Sequence, residues 1–504
     1  MSTPEAQDAA SQAGPSAPDG TLTRLVVRNT FYLTASQALT VPLSVLVNAM
    51  LARYLGPSDF GVLYLSATLA GFGFLAVNWG HEGALPALVS LDRSVAGALL
   101  GSSIFWRAGF SFVAYALFAV VCHFLHYGPV FQWALALTFV INAFTSFIAG
   151  CKDTIRGFER TDIPAITHVG QQLLTAALIV PVLLLGGGML STLVAQIPVC
   201  ILVLVLIGRA LRPVGVGKLT IGRTALMALF VGGTPFVVSN LVMALQPIID
   251  ALYLSKLAPT EVMGWFAASR RLIGVLLFPA TSLVGALFPT LCRLYNEDKQ
   301  GFANVARGAF KGVALLAAPV AVGCAVFPEL GVAIYNRGTF GQAENNLRVS
   351  SAYLFLVYFS MPLGTCILAA GRKRAWSIVQ ALCVGFSLVL DPLLVPWFQR
   401  KMGNGGLGPC VAAVAAEVMV VGVGIALTPK GVFDRGVVKT LLLAMVSGAA
   451  MALVAHLCKS ITPWVVAPLS LVAYVVAALV TGAIEKEQLA AGKAFVQRKV
   501  SRGR

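Results

Sequence analysis

The sequence predicts an all-α integral membrane protein of about fourteen transmembrane helices. Three observations predict it. Hydrophobic residues make up 58% of the 504 positions and charged residues only 11%, against about 25% charged in soluble domains. The apolar residues fall into runs of about twenty separated by short polar joints; in hydrocarbon the backbone must satisfy its own hydrogen bonds, so runs of that length form helices. The runs also fail to alternate, as 437–458 illustrates, whereas a membrane barrel needs ~10-residue segments with a polar lumen face.

Residues 1–23 open with an Ala-, Ser-, Pro- and Asp-rich stretch and contain no apolar core, which predicts a disordered cytoplasmic tail and no cleavable signal. The first six expected spans are 31–52, 60–79, 96–126, 129–151, 163–187 and 189–208. Spans seven to twelve are expected at 224–255, 262–291, 312–335, 347–370, 375–398 and 406–428. Two more follow at 437–458 and 463–484, and 485–504 form a basic cytoplasmic tail. Pro235, Pro247, Pro279 and Pro289 mark expected kinks, because proline lacks the amide that would continue the helix.

A net charge of +16 raises the possibility of nucleic acid, but its distribution excludes that class. Basic residues collect in alternate short joints, as the positive-inside rule demands. Arg93, Arg156, Arg160, Lys218, Arg372 and Lys430 all fall on one side. That side is expected to be cytoplasmic, with both termini there and the chain a multi-pass protein of the cell (plasma or inner) membrane. The nine cysteines stand singly in apolar runs with no Cys-x-x-Cys pair, which fits small apolar filler and no metal. Gly186-Gly187-Gly188 lacks the Lys and Ser/Thr of a phosphate loop. The polar segments are too short to fold an active site, so no catalytic residues are expected.

The chain also repeats itself. Asn48-Ala49 and Leu55-Gly56-Pro57-Ser58-Asp59 are answered by Asp250-Ala251 and Leu257-Ala258-Pro259-Thr260-Glu261, at an offset of 202. Leu85-Pro86-Ala87-Leu88 is answered by Phe288-Pro289-Thr290-Leu291 at 203, and Gly157-Phe158-Glu159-Arg160 by Gly371-Arg372-Lys373-Arg374. Each unit holds six spans, an even number, so both copies enter the membrane in the same direction. The expected organisation is an N-lobe at 24–210, a C-lobe at 211–430 and two extra helices at 431–484. Two parallel six-helix lobes around a central cavity can rock, the geometry of alternating access.

At Leu51-Ala52-Arg53-Tyr54-Leu55-Gly56-Pro57-Ser58-Asp59-Phe60-Gly61 the chain resembles the polysaccharide (O-antigen type) flippase family of the multidrug/oligosaccharidyl-lipid/polysaccharide exporter superfamily. Gly264-Trp265-Phe266-Ala267-Ala268-Ser269-Arg270-Arg271-Leu272 is similar to that family's Gly-x-Tyr-x-x-Ala-x-Arg-Leu opening of the eighth helix. Ala369-Ala370-Gly371-Arg372, Leu390-Asp391-Pro392-Leu393-Leu394-Val395-Pro396 and Gly406-Leu407-Gly408 extend the resemblance, which covers roughly 24–430. Asp391 stands where the family has Asn and Pro409 where it has Ala, and 399–404 lengthen a joint. The resemblance implies a transporter that carries a polyprenyl-pyrophosphate-linked oligosaccharide to the outer leaflet. Its implied partners are that lipid-linked glycan, membrane lipid, and a polysaccharide polymerase or glycosyltransferases. A lipid II flippase and a cation-coupled multidrug antiporter of the same superfamily are the alternatives.

A charge near the bilayer centre costs at least ~2.5 kcal/mol, so each should face a cavity or a partner. Arg107 lies about eleven residues, or roughly 16 Å, into the third span. Arg270 and Arg271 lie nearly as deep in the eighth and Glu417 in the twelfth, with Asp250 and Asp391 nearer the outer face. Arginine suits a pyrophosphate because its planar fork bonds phosphate oxygens in pairs. Arg107 and Arg271 are therefore expected to form a clamp, one from each lobe. Arg270 and Arg271 sit about 100° apart around their helix, and Arg271 is preferred because it matches the family's Arg. Buried ion pairs with Glu417 or Asp391 are the alternative. Asp250, Asp391 and Glu417 are candidates for proton or sodium coupling, and no cofactor is expected. Three arginines against one glutamate at mid-membrane disfavour a drug antiporter, which would want an acidic cavity.

Overall fold

The computed structural model describes residues 20–484, and among them it contains α-helices, one short 3-10 turn and no strand. Helix α1 (Gly20–Asn78) holds 59 residues, about 88 Å of helix. That is nearly three times a ~30 Å hydrocarbon core, so it must be broken. The break is at Gly56 (φ 75°, ψ 174°), a conformation closed to residues with a Cβ. A second break at Trp79 and Gly80, both with positive φ, separates α1 from α2 (His81–Leu91). Asp92 then caps the 3-10 turn Arg93–Val95, accepting from Ser94 N at 2.9 Å and Ser94 Oγ at 2.6 Å. Those two bonds hold the Asp92 carboxyl below the usual carboxylate range.

The first half continues with α3 (Ala96–Phe124), α4 (Pro129–Gly157), α5 (Asp162–Leu184) and α6 (Met189–Val214). The second opens with α7 (Arg223–Leu257), followed by α8 (Thr260–Leu276) and α9 (Phe278–Glu297), bent by 42° to one another. Next come α10 (Lys299–Val326), the short α11 (Pro328–Ala333) and α12 (Arg337–Phe340), then α13 (Ala343–Ala369), α14 (Lys373–Met402) and α15 (Leu407–Leu427). Helices α16 (Arg435–Leu457) and α17 (Pro463–Val480) close the described chain.

Among the described residues, eleven helical stretches are long and apolar enough to cross a membrane, or twelve with α8–α9 taken as one bent span. The first of these, Ala35–Leu91, makes two passes because of the Gly56 break. Helix α7, with 35 residues, is long enough for another, so the fourteen expected passes are present. Their outer surface is apolar: Phe112, Leu185, Leu393 and Val480 are all more than 60% exposed. Such a girdle is stable only against hydrocarbon.

Several expected boundaries move, three of them with a visible physical cause. The second span runs on through the Trp79–Gly80 break to Leu91. The ninth starts earlier, at Lys299, where Asp298 caps α10 by accepting from Gln300 N at 3.0 Å. It also ends earlier. Phe327 leaves the helical region and Pro328, lacking an amide, starts α11 as a separate piece. Glu329 therefore sits on that piece rather than at the end of a span.

Consecutive helices cross in opposite directions, which sorts the joints onto two faces. One, the basic face, carries the joints at 92–95, 158–161, 215–222, 298, 370–372 and 428–434. The opposite face carries the Gly56 break and the joints at 125–128, 185–188, 258–259, 327–342, 403–406 and 458–462. Helices α1–α6 pack mutually, as do α8–α15, while α7 touches α1, α2 and α3 on one side and α14 on the other. Helices α16 and α17 pack on α10, where Tyr474 Oη donates to Leu315 O at 2.9 Å.

The halves meet through residues that the repeat equates. Ser58 Oγ donates to Thr260 Oγ1 at 3.2 Å, and these positions are 202 apart, the repeat offset itself. Beside them Gly61 and Gly264 let the backbones touch. A Cβ on Gly61 would stand 2.6 Å from Thr260 O, and one on Gly264 1.9 Å from Pro57 O. A patch in which each residue meets its own counterpart is the signature of a two-fold axis.

Candidate functional site

A cavity of about 900 Å³ lies between the first arm of α1 and the second half of the chain. Ser44 and Asn48 line it from α1, Gly323 from α10, Tyr335 beyond α11, Met451 from α16 and Trp464 from α17. Among its 24 lining residues Arg271 alone carries a charge. Both halves and the two extra helices therefore contribute to one apolar chamber with a single guanidinium in its wall. Arg271 is placed there by α8, which packs Met263, Phe266 and Ala267 into the core. Its guanidinium lies 5.1 Å from the Phe60 ring, and among the described residues no carboxylate pairs with it. The ring face attracts the cation but does not neutralise it.

Arg270, one residue earlier, points elsewhere, as the 100° step requires. It lies 3.7 Å from Asp250 Oδ2 on α7 and is flanked by the Phe266 and Tyr353 rings at 5.7 and 5.5 Å. Asp250 is 1% exposed, and Asp391, on α14, is 0% exposed. The two carboxyls lie within hydrogen-bonding reach of one another. Ser387 stands beside Asp250, yet among the described residues none of the four carboxyl oxygens has a fully formed hydrogen bond. One guanidinium cannot balance two carboxylates in a dry site, so charge neutrality there asks for one further cation or proton. Glu417, on α15, is 8% exposed and sits near Ser360 rather than within this pair.

Arg107 does not join Arg271. It is 1% exposed between α3 and α4, donates from Nη1 to Ser146 O, and lies 4.0 Å from Asp153 Oδ2. Asp153 also takes Arg156 Nη1 at 3.1 Å, so this carboxylate joins a buried arginine to a half-exposed one. The expected two-arginine clamp is thus not assembled in this conformation; only Arg271 reaches the cavity. The reason is that Asp153 sits one turn before the end of α4 and offers Arg107 a partner within its own half. Sequence reasoning passed over Asp153. The signal was a lone acid in Lys152-Asp153-x-x-Arg156, at a spacing that pairs acid and base on one helical face.

Arg53, Phe60, Tyr335, Phe340 and Trp265 were also passed over. Arg53 donates to Ile334 O at 2.7 Å and Ala333 O at 2.9 Å, at the carbonyl end of α11. Trp265 Nε1 donates to Thr339 O at 2.9 Å, and the Phe60, Tyr335 and Phe340 rings cluster within 6.1 Å of one another. Of these residues Tyr335 lines the cavity, and the others tie its surroundings together. The partners of Arg53 lie 280 and 281 residues away and that of Trp265 74 residues away, and no local pattern announces them.

Comparison with known proteins places this arrangement. The chain matches the "Polysaccharide biosynthesis protein" family over residues 50–336. No curated protein sequence matched. Among solved structures, the lipid II flippase MurJ in an inward-closed conformation superposes with a TM-score of 0.67 at 15% identity, covering 90% of this chain and 99% of that one. An inward-facing multidrug resistance MATE family transporter of the MOP superfamily gives 0.58 at 14% identity, covering 79% and 97%. A MOP superfamily transporter from Pyrococcus furiosus gives 0.51 at 14% identity, covering 80% and 95%. At such identities the structural likeness speaks for the fold. Together with the family match over more than half of the sequence, it makes this chain a membrane transporter-fold member of the polysaccharide biosynthesis protein family.

Proposed function

We propose that the protein flips a polyprenyl-pyrophosphate-linked oligosaccharide from the cytoplasmic to the outer leaflet, by alternating access of its two halves. The observation that carries this reading is the chamber of about 900 Å³ with apolar walls and one guanidinium that meets no carboxylate among the described residues. An apolar wall suits a polyprenyl tail, which can pass between bilayer hydrocarbon and the chamber without exposing its surface to water. Arg271 suits the pyrophosphate at the head of that tail, since its fork can bond two phosphate oxygens. A cationic drug would meet the same charge with repulsion, which disfavours the antiporter reading. The basic face is the cytoplasmic one in this reading, in keeping with the positive-inside rule. Both termini are then cytoplasmic and the protein belongs to the cell membrane, as part of the same proposal.

The direct test is genetic. Arg271→Ala, expressed in a strain lacking the native protein, is expected to leave sugar-lipid on the cytoplasmic leaflet and to abolish surface glycan. Export at the native level from that variant would refute the assignment. Lipid II remains the second substrate class, and supplying lipid II to vesicles containing the purified protein distinguishes the two.

The Asp250–Asp391 pair supports proton coupling as the second part of the proposal. Loss of the shared proton would strengthen the hold of the pair on Arg270 and pull α7, α8 and α14 together; its gain would release them. Transport that persists after both proton and sodium gradients are collapsed would rule this out.

A further inference from the structure

The opposite face holds a second cavity, of about 690 Å³, within the ~300–1,000 Å³ range of small-ligand sites. It forms where α10 ends, α13 begins and α16 turns into α17. Its chemistry differs from that of the apolar chamber. Five of its fourteen lining residues are acidic or basic, Glu329, Glu344, Arg348, His456 and Lys459, against one in 24 for the chamber. The two spaces share a wall: Phe327 lines both, and α16 and α17 contribute to both.

Arg348 is held in place. Its Nε donates to Ala325 O at 3.2 Å and its Nη1 to Asn345 Oδ1 at 3.3 Å. That sets a cation at the carbonyl end of α10, where the helix dipole favours it. Glu329 opens α11 on the same cavity.

The mixture of signs narrows the ligand. A phosphate attracted by Arg348 and Lys459 would also face Glu329 and Glu344. An apolar chain would set Glu329, His456 and Lys459 against hydrocarbon. A polyhydroxylated ligand satisfies both kinds of group at once, because hydroxyls donate to carboxylates and accept from ammonium and guanidinium N–H.

We propose that this cavity binds the sugar head of the transported lipid once the head has reached the opposite face, while the tail still occupies the adjoining apolar chamber. The inference rests on the flippase reading, which supplies the sugar. It adds an exit station, built largely by the two helices outside the repeat.

The test uses the full chain in lipid nanodiscs and saturation-transfer NMR, with maltotetraose as the probe. Saturation transfer above that of empty nanodiscs is expected. It should weaken about tenfold in affinity in Glu329→Ala/Lys459→Ala, which removes two charged hydrogen-bonding groups. If the double variant does not fold, Lys459→Ala alone, exposed in the joint after α16, is expected to weaken binding about threefold. Inorganic pyrophosphate should leave the signal unchanged. Absence of transfer, an unaltered signal in the folded variants, or displacement by pyrophosphate would each overturn the proposal. The two readings fail separately. Saccharide binding without movement of sugar-lipid keeps this site and removes the flippase reading, whereas lipid movement without saccharide binding removes the site alone.

Discussion

Adjacent arginines with opposite circumstances give the sharpest test at the level of single residues. Arg270 neutralises Asp250, so Arg270→Ala leaves buried carboxylates uncompensated and should cost about 3–5 kcal/mol of stability. Adding Asp250→Asn should return most of that loss, and a thermal-unfolding cycle over the four proteins measures the coupling. Arg107→Ala belongs with Arg270→Ala, because it strands Asp153 in a dry site and should reduce the amount of folded protein by a similar energy. Arg271→Ala is expected to unfold with the native protein yet to lose transport. If Arg107→Ala proved fully stable and transport-dead, the division made here between a packing arginine and a ligand arginine would be wrong. The depth of these charges was legible in the sequence, since it follows from span edges and helical rise. Their partners were not. Asp250 and Asp391 lie 20 or more residues from Arg270, and which of them it meets depends on how α7, α8 and α14 are rotated.

The seam between halves can be interrogated helix by helix. Ser58 and Thr260 face each other at 3.2 Å, so Ser58→Cys with Thr260→Cys should form a disulfide under mild oxidation. The oxidised protein is expected to stop transporting and to recover on reduction. Oxidised protein that transports at full rate would show that this seam need not open. Gly264→Ala acts from the other direction, since its Cβ would collide with the Pro57 carbonyl. It should force the second arm of α1 and α8 apart and raise the labelling of Ser58→Cys by a water-soluble maleimide. The repeat itself was readable from Pro, Gly and acidic joint positions, because those residue types are set by backbone geometry rather than by apolar packing. The boundaries that moved did so for different causes. Lys299, Arg307 and Lys311 read as a joint, yet a helix can carry charges in its first turns when they reach the aqueous boundary, and Arg307 there donates to Gly431 O at 2.8 Å. The extension to Leu91 was hidden for the opposite reason. Trp79 and Gly80 look like an end, but α7 packs so closely at Gly233, where a Cβ would stand 1.9 Å from Trp79 O, that the helix resumes after one kinked turn.

For the molecule as a whole, the apolar chamber is the feature on which transport depends in the proposed reading. Gly323 lines it with only Met451 Cε near its missing Cβ, at 3.7 Å. Gly323→Trp should fill part of the space, keep or raise the thermal midpoint, and block transport. A fully active Gly323→Trp protein would mean that the substrate travels elsewhere. Fold class and pass count were legible because the bilayer imposes one rule on every segment. The chamber was not, because α16 and α17 lie outside the repeat and the sequence assigns them no contact. Only the packing of α16 on α10, close at Gly448 and Val322, reveals that they wall it.

The matched contact between Ser58 and Thr260 has a further consequence. Two copies of one unit that touch through equivalent positions reproduce the interface of a symmetric homodimer, with the tether between α6 and α7 reduced to a convenience. Cutting the polypeptide within 215–222 and producing the pieces from separate genes should therefore still yield a working pair that co-purifies. Should the pieces never find each other, the tether rather than the self-matching patch would be what assembles the molecule.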